Sequence, residues 1–336
     1  MATSGRRAGG LLILACSFVL AILSVEGILR ATGRFPVPPA HPVTFRPELY
    51  QVHQPYGYRL WPSRTTTYRY PRQNPRLLTV RSNRAGFRGE RELDEADGRP
   101  RAVVLGDSMV FGEGVEESER FTEVLEAEEP TWRIDNLGMT GFGPDLMLRA
   151  LEQVGLALAP RMVLLTIYTD DFRRVRPEYA GVGFELPRFA LKSGHLVDIE
   201  YPSPHLWNRW RTIAAIREVS WRGSGTEWRL NAAVLDRFRE HASRTPFTLV
   251  LVFLPGTSST PNDDARRTWL GSYAGRTNTL FLDLTDPILA KGSARMFIPH
   301  NPHLNPAGHA VVAQELHRAL AGRFKESGGS HPVVAK

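Results

Sequence analysis

The chain has 336 residues, 42% hydrophobic and 23% charged, ordinary values that exclude a disordered or fibrous chain and allow one large domain or two small ones. Its net charge of +7 comes mostly from arginine, since only Lys192, Lys291, Lys325 and Lys336 are lysines; no long basic run appears, which argues against a nucleic-acid partner. The single cysteine, Cys16, excludes an internal disulfide, a Cys-based zinc site and a CxxC redox motif.

At the N-terminus, Arg6 and Arg7 precede an uncharged stretch from Ala8 to Val25, closed by Glu26 and Arg30. At 1.5 Å per residue this stretch reaches roughly 27 Å, close to the thickness of a bilayer core. The positive flank predicts that this end stays in the cytoplasm and that the remainder lies outside. No small-x-small cleavage site follows, so residues 1–30 read as an uncleaved signal anchor rather than a removed signal peptide or a buried helix of a soluble protein. ILAC at 13–16 resembles a lipoprotein box, but Leu14 fits poorly and apolar residues continue for nine positions past Cys16.

Residues 31–98 are rich in Pro, Arg and Tyr and read as a tether followed by a lead-in that packs on the main domain. PVPPAHP is incompatible with a helix. TTTYRYP alternates as an edge strand does, and NRAGFRG at 83–89 carries two glycines of tight turns.

From residue 100 strands and helices alternate. RAVVLGDS is a strand with an abrupt end; SERFTEVLEAEE is a helix with Phe121, Val124 and Leu125 on one face; WRIDNLGM is a second strand; GPDLMLRALEQVGLA is a helix starting near Pro144 and Asp145. RMVLLTIYTDD, FTLVLVFLPG and TLFLDLTD are the third, fourth and fifth strands, and PAGHAVVAQELHRALAGRF is a closing amphipathic helix with Pro306 in its first turn. Continuously apolar strands alternating with helices imply a five-stranded parallel sheet covered on both faces, a flavodoxin-like α/β/α domain over 99–325, with 326–336 a disordered tail. In such sheets the ligand sits outside the carboxyl ends of the strands. Ser108 follows the first strand, the Gly138–Gly143 turn the second, and Asp170 and Asp171 the third; His303 precedes the last helix. All are expected to face one crevice.

Between the third and fourth strands, 172–245 reads as an insertion or lid. PRFALKSGHLVDIEYP predicts a β-hairpin around Ser193-Gly194. Trp207, Trp210, Trp221 and Trp228 follow, interleaved with Arg209, Arg211 and Arg222. Either they form a platform over the crevice, with Trp207 and Trp210 the candidate substrate contacts, or they are the insertion's own core or a contact with the bilayer surface.

GDSMVFGEGV, NLGMTGFGPD, LLTIYTDDF and IPHNPHLNPAGH, in this order and at these strand ends, resemble the four blocks of the SGNH (GDSL-type) esterase and acyltransferase superfamily, over roughly residues 83 to 322. Ser108 does not sit in G-x-S-x-G, because Val110 takes the last position, which argues against an α/β-hydrolase elbow. The resemblance implies that Ser108 is the nucleophile and His303 the general base, later the acid towards the leaving alcohol. It implies an oxyanion hole of the Ser108 N–H, the Gly141 N–H and a side chain at position 170. No cofactor or metal is implied. The implied partners are an acyl-ester substrate, such as one on a glycan or cell-envelope polymer, and the membrane through the N-terminal helix.

Two positions depart from the family pattern. Asp170 stands where the family has asparagine, and an ionised carboxylate donates nothing to an oxyanion. Asn301 and His300 stand where the family has aspartate, so Asn301 is the residue left to orient His303, unless Asp283 or Asp286 supplies an acid. Three readings therefore remain: a membrane-anchored serine esterase or O-acyltransferase, a non-catalytic binding module for glycan or acyl groups on the same fold, and a zinc site of His300, His303 and His309 with Asp170. GDSMVFGEG lacks the lysine of a phosphate loop.

Overall fold

The computed structural model describes residues 2–35, 46–70, 76–95, 97–176, 186–199 and 210–326. The chain begins with α1 (Ala2–Ala31), then two antiparallel pairs: β1 (Tyr50–His53) with β2 (Gly57–Leu60), and β3 (Thr65–Tyr68) with β4 (Leu78–Arg81). The core follows in alternation: β5 (Arg101–Leu105), α2 (Ser108–Phe111), α3 (Phe121–Glu128), β6 (Arg133–Asn136), α4 (Pro144–Gln153) and β7 (Met162–Tyr168). A hairpin of β8 (Arg188–Lys192) and β9 (His195–Ile199) precedes α5 (Arg211–Ser224) and α6 (Thr226–Arg244). The chain closes with β10 (Thr248–Leu254), α7 (Pro261–Thr277), β11 (Leu280–Asp283), α8 (Thr285–Leu289), α9 (Ser293–Met296) and α10 (Pro306–Glu326).

Five strands form one parallel sheet in the order β11-β10-β7-β5-β6. Counting only these strands along the chain, this is the 2-1-3-4-5 order of flavodoxin-like folds, with its switch point between β5 and β7. Every residue from Ala102 to Leu105 is buried because each face of the sheet carries its own apolar layer. Val103 and Leu105 pack with Leu146, Leu151, Val234 and Phe238 of α4 and α6, while Ala102 and Val104 pack with Phe121, Leu125, Val312 and Leu316 of α3 and α10. The continuously apolar strands are thus the middle of three layers. By length and composition Gly9–Ala31 is able to cross a membrane, with a mean hydropathy of 2.5 and 6% of its most apolar stretch buried.

Over the described residues the lead-in packs on the main domain. Tyr50, Tyr58 and Leu60 are buried in the same core as α4, with the Tyr58 ring 5.3 Å from that of Phe142. The expected hairpin at Ser193-Gly194 is present as β8–β9. The reading of 172–245 as one overhanging insertion needs correction: α6 is a helix of the sheet-covering layer, burying Leu230, Val234, Leu235 and Phe238 beside α4. Its Trp and Arg content obscured an ordinary amphipathic stripe. The expected tail lies, from 327 onward, outside the described residues, as does PVPPAHP.

The arginine bias has structural uses. Arg88 donates to the carbonyls of Phe111 (3.2 Å), Gly112 (2.6 Å) and Val115 (2.7 Å), clamping the turn after α2. Buried Arg188 donates to Asp145 (2.8 Å) and the Arg174 carbonyl (2.7 Å), tying the hairpin to the sheet domain. A guanidinium with five donors in a fixed fork does this where a lysine would not.

Candidate active site

β5 ends in a turn that has room only for glycine at 106, where a Cβ would lie 2.2 Å from Val110 Cγ2 and 3.0 Å from the Thr166 carbonyl oxygen. Asp107 then caps α2 by accepting the Met109 N–H at 2.8 Å, which sets Ser108 as the helix's first residue at the switch point of the sheet. On the other side of the cleft, the loop between α9 and α10 is pinned by the Ile298 N–H donating to the His303 carbonyl (2.9 Å) and by the Asn305 amide donating to the Arg295 carbonyl (2.8 Å). These two local structures bring Ser108 Oγ to 2.8 Å from His303 Nε2.

The protonation pattern of His303 follows from its other contacts. Asn301 Oδ1 accepts the His303 backbone N–H at 3.1 Å, which fixes the oxygen end of the amide toward the ring. That oxygen is 2.6 Å from His303 Nδ1, so Nδ1 carries the proton. Nε2 is then left with its lone pair toward the serine hydroxyl. Burial holds the imidazole below its ordinary range, opposed by the charges of Glu113 and Asp107 and reinforced by Arg174 and Arg46. At neutral pH it is the free base.

Five groups around this pair escaped the sequence reading. Tyr70, from the lead-in, places its hydroxyl 3.2 Å from His303 Nδ1 and accepts the Asn301 amide N–H at 3.4 Å. Behind it lies Glu113, its side chain fully buried, paired with Arg46 at 2.5 Å and accepting from Tyr68 (3.1 Å) and Thr140 (2.7 Å). The Arg46 guanidinium lies over the Tyr70 ring at 4.7 Å. Asp107 accepts from Arg174 at 2.9 Å and lies 3.2 Å from Ser108 Oγ. Arg174 also faces Asp171 at 2.7 Å, and burial together with Asp107 pushes the Asp171 carboxyl well above the usual range. A signal did exist for Glu113, the lone acid of GEGV, but a turn acid carries no address. Tyr70 reaches the site across 233 positions of sequence.

Gly141 sits in the turn between β6 and α4 with φ +85°, a conformation suited to glycine. Tyr58 donates its hydroxyl to the Thr140 carbonyl, holding this turn. Among the described residues neither the Ser108 nor the Gly141 N–H is taken by another protein group. Asp170 lines the same cleft, but its carboxylate engages Arg173 at 2.6 Å and Arg174 at 3.8 Å. The side-chain donor expected at this position is therefore absent, and Arg174 brings a positive charge to the cleft instead.

Ser108, Tyr168, Asp170, Arg174, Arg266 and His303 line a cavity of about 360 Å³. A larger one of about 530 Å³ lies elsewhere, lined by Arg91, Arg99, Glu123 and Glu126 among others, and is crossed by Arg91–Glu126 and Arg99–Glu126 pairs at 2.6 and 2.9 Å. Asp283 pairs with Arg267, and Asp286 faces the same arginine at 3.7 Å, so both are engaged away from His303. The zinc reading is not supported: among the described residues no three His, Cys, Asp or Glu side chains gather to hold a metal ion. His309 instead accepts the Phe121 N–H at 3.2 Å in the core, where burial pushes its pKa down to about 3. Trp207 lies outside the described residues. Trp210 is not at the cleft; it precedes α5, whose first turn bonds to α1. Trp221 and Trp228 do line a second cavity of about 490 Å³ that shares Asp170, Thr260, Asp263 and Arg266 with the first, while Trp228 also packs 5.2 Å from Trp269.

No curated protein sequence matches the chain. Among solved structures, a lipolytic protein of the G-D-S-L family from Desulfitobacterium hafniense is similar to 66% of this chain over 100% of its own, at 16% identity and a TM-score of 0.44. The psychrotrophic esterase EstA from a Pseudoalteromonas species matches 67% of the chain over 98% of its own (12% identity, TM-score 0.44). The acetylxylan esterase Axe2 from Geobacillus stearothermophilus matches 67% over 94% of its own (16% identity, TM-score 0.41). The family assignment rests instead on sequence. The profile of the GDSL-like Lipase/Acylhydrolase family matches residues 104–311, which run from the end of β5, through the serine turn, to the first turns of α10 just past His303. The chain belongs to the GDSL-like lipase/acylhydrolase family.

Proposed function

We propose that the chain is a serine esterase, an O-acyl or O-acetyl hydrolase or transferase, acting on an acyl ester outside the cytoplasmic membrane to which α1 anchors it. The observation that carries this reading is the line from Ser108 Oγ through His303 to Asn301, at 2.8 and 2.6 Å. His303 Nε2 takes the Ser108 proton as Oγ bonds to the ester carbonyl carbon; the N–H groups of Ser108 and Gly141 hold the oxyanion. When the carbonyl re-forms, the ester C–O bond breaks and the imidazolium gives its proton to the departing alcohol. Water, or an acceptor hydroxyl in a transferase, then enters through the same base and releases the acyl group from Ser108. Tyr70 is a positioning residue that keeps the Asn301 amide, and through it the ring, in register. The cleft lining carries the hydroxyls of Thr257, Ser258 and Thr260 beside the charged groups Asp170, Arg174, Asp263 and Arg266. This favours a short acyl group on a hydroxylated carrier, such as an envelope glycan, over a long acyl chain.

The test is turnover of p-nitrophenyl acetate. Ser108→Ala and His303→Ala should each lower kcat by at least about 10³-fold with the fold intact. A second reading, a binding module on this fold, is favoured by one observation: Asp170 offers the oxyanion no donor. It predicts no turnover from the wild-type chain and an unchanged cellular phenotype in Ser108→Ala.

A further inference from the structure

Exposed large apolar side chains are concentrated on two helices that touch each other. Among the described residues, ten lie along α1 between Leu11 and Ile28; of the five others, two are on α5, Ile216 at 64% and Val219 at 69% exposure. They are three residues apart and so share a face. The first turn of α5 is fastened to the end of α1. Glu26, buried in the contact, accepts the N–H groups of Arg211 (3.1 Å) and Thr212 (2.8 Å) and the Thr212 hydroxyl (2.8 Å). Arg211 in turn donates to the carbonyls of Leu29 (3.3 Å) and Arg34 (2.8 Å). Along α1 from Gly9 only Ile22, Glu26 and Leu29 lose exposure, one side of its last turns. The sequence of α5 is basic, with Arg211, Arg217 and Arg222 against Glu218.

We infer that α5 is an interfacial helix that lies on the outer surface of the bilayer and presses Ile216 and Val219 into the headgroup boundary. This rests on the reading of α1 as the membrane anchor. If α1 spans, its C-terminal turns emerge at the outer leaflet, and the Glu26 contacts hold α5 at that level. A helix there with exposed apolar side chains on one face and a net basic sequence suits an anionic lipid surface. Gly225 then turns the chain directly into α6, and Trp221 and Trp228 on either side of that turn line the cavity adjoining the Ser108 cleft. The surface helix therefore also sets how far the cleft stands from the bilayer.

The test uses the full chain with Cys16→Ser and one new cysteine, Ile216→Cys or Val219→Cys, carrying an environment-sensitive nitrobenzoxadiazole label. Arg318→Cys, on the exposed side of α10, is the control. The proteins are reconstituted into phosphatidylcholine/phosphatidylglycerol vesicles containing lipids with a nitroxide at the headgroup or high on the acyl chain, and retained p-nitrophenyl acetate turnover reports an intact fold. Labels at 216 and 219 should be quenched at least about twofold more than the label at 318 and should shift to the blue. Equal quenching at all three positions, in protein that co-floats with the vesicles, overturns the proposal while leaving the anchor in place. Blue-shifted labels at 216 and 219 that the lipid nitroxides do not quench would mean that protein, a second copy included, covers this face, and would overturn it too. Protein that fails to co-float removes the anchor and the interfacial helix together.

Discussion

Replacing Asn301 with aspartate tests the electrostatics of the site most sharply. The amide oxygen lies 2.6 Å from His303 Nδ1, so a carboxylate there puts a full negative charge about 4 Å from the centre of the imidazolium. At an effective dielectric of about 20 that attraction is about 4 kcal/mol. Desolvation of the new carboxylate offsets part of it, leaving an upward pKa shift of about 1–3 units for the ring. The wild-type ring starts below its ordinary range because it is buried with no carboxylate in direct contact. In a serine-protease triad the same exchange in reverse costs about 10⁴ because the amide presents the wrong tautomer. Here the His303 N–H already turns Oδ1 to the ring, so the tautomer is right, and only the imidazolium's stabilisation is missing. The expected gain is therefore much smaller: about 2 kcal/mol, or about 30-fold in kcat, above the new pKa. The assay is kcat/KM for p-nitrophenyl acetate between pH 4 and 10. The acid limb of Asn301→Asp should move up by at least one pH unit, with a higher plateau near pH 9. An unmoved limb, or a plateau ten-fold lower, would refute the reasoning.

Other consequences are measurable. Tyr70→Phe removes the hydroxyl that holds the Asn301 amide; kcat should fall about 5-fold with KM unchanged, the value of one hydrogen bond near 1 kcal/mol, and the acid limb should shift while the melting temperature barely moves. In Gly138→Ala the new Cβ would meet the Phe111 nitrogen at 2.5 Å and Val110 Cβ at 2.6 Å; unfolding in urea should show a loss of about 1–3 kcal/mol or more, and a neutral result would contradict the packing at the serine turn. His309 is neutral in the fold down to about pH 3, whereas the unfolded chain takes up the proton near 6.5, so stability should drop as pH falls below 6.5, by about 2 kcal/mol at pH 5 from this residue. His53 and His303, also depressed, act in the same direction. His309→Gln should flatten that slope in denaturation midpoints at pH 7 and 5.

The sheet was legible because its strands are buried on both faces: RAVVL and MVLLTIY have no polar side to conceal them. The nearness of Ser108 and His303 was legible because short motifs with turn chemistry mark both places, GDS at the end of β5 and H-x-N-P-A-G-H at the start of α10. The surroundings of the pair were not. Tyr70 and Arg46 belong to a Pro- and Arg-rich stretch whose pairing, β1 with β2 and β3 with β4, depends on packing against a domain read later in the chain. The layer helix α6 was hidden by tryptophans that suggested a platform, although Leu230, Val234 and Phe238 keep a helical spacing. Asp170 shows the limit of position-by-position transfer: the residue is at the cleft, but two arginines already occupy its carboxylate.

In the proposed function Ser108 is an activated nucleophile because the neutral His303 imidazole faces it. Treatment with a fluorophosphonate, followed by mass spectrometry of the digested protein, tests this directly. One adduct is expected, on Ser108, forming at least about 10² times more slowly in His303→Ala. An unmodified Ser108 in protein shown to be folded, or equal labelling with and without His303, would contradict it.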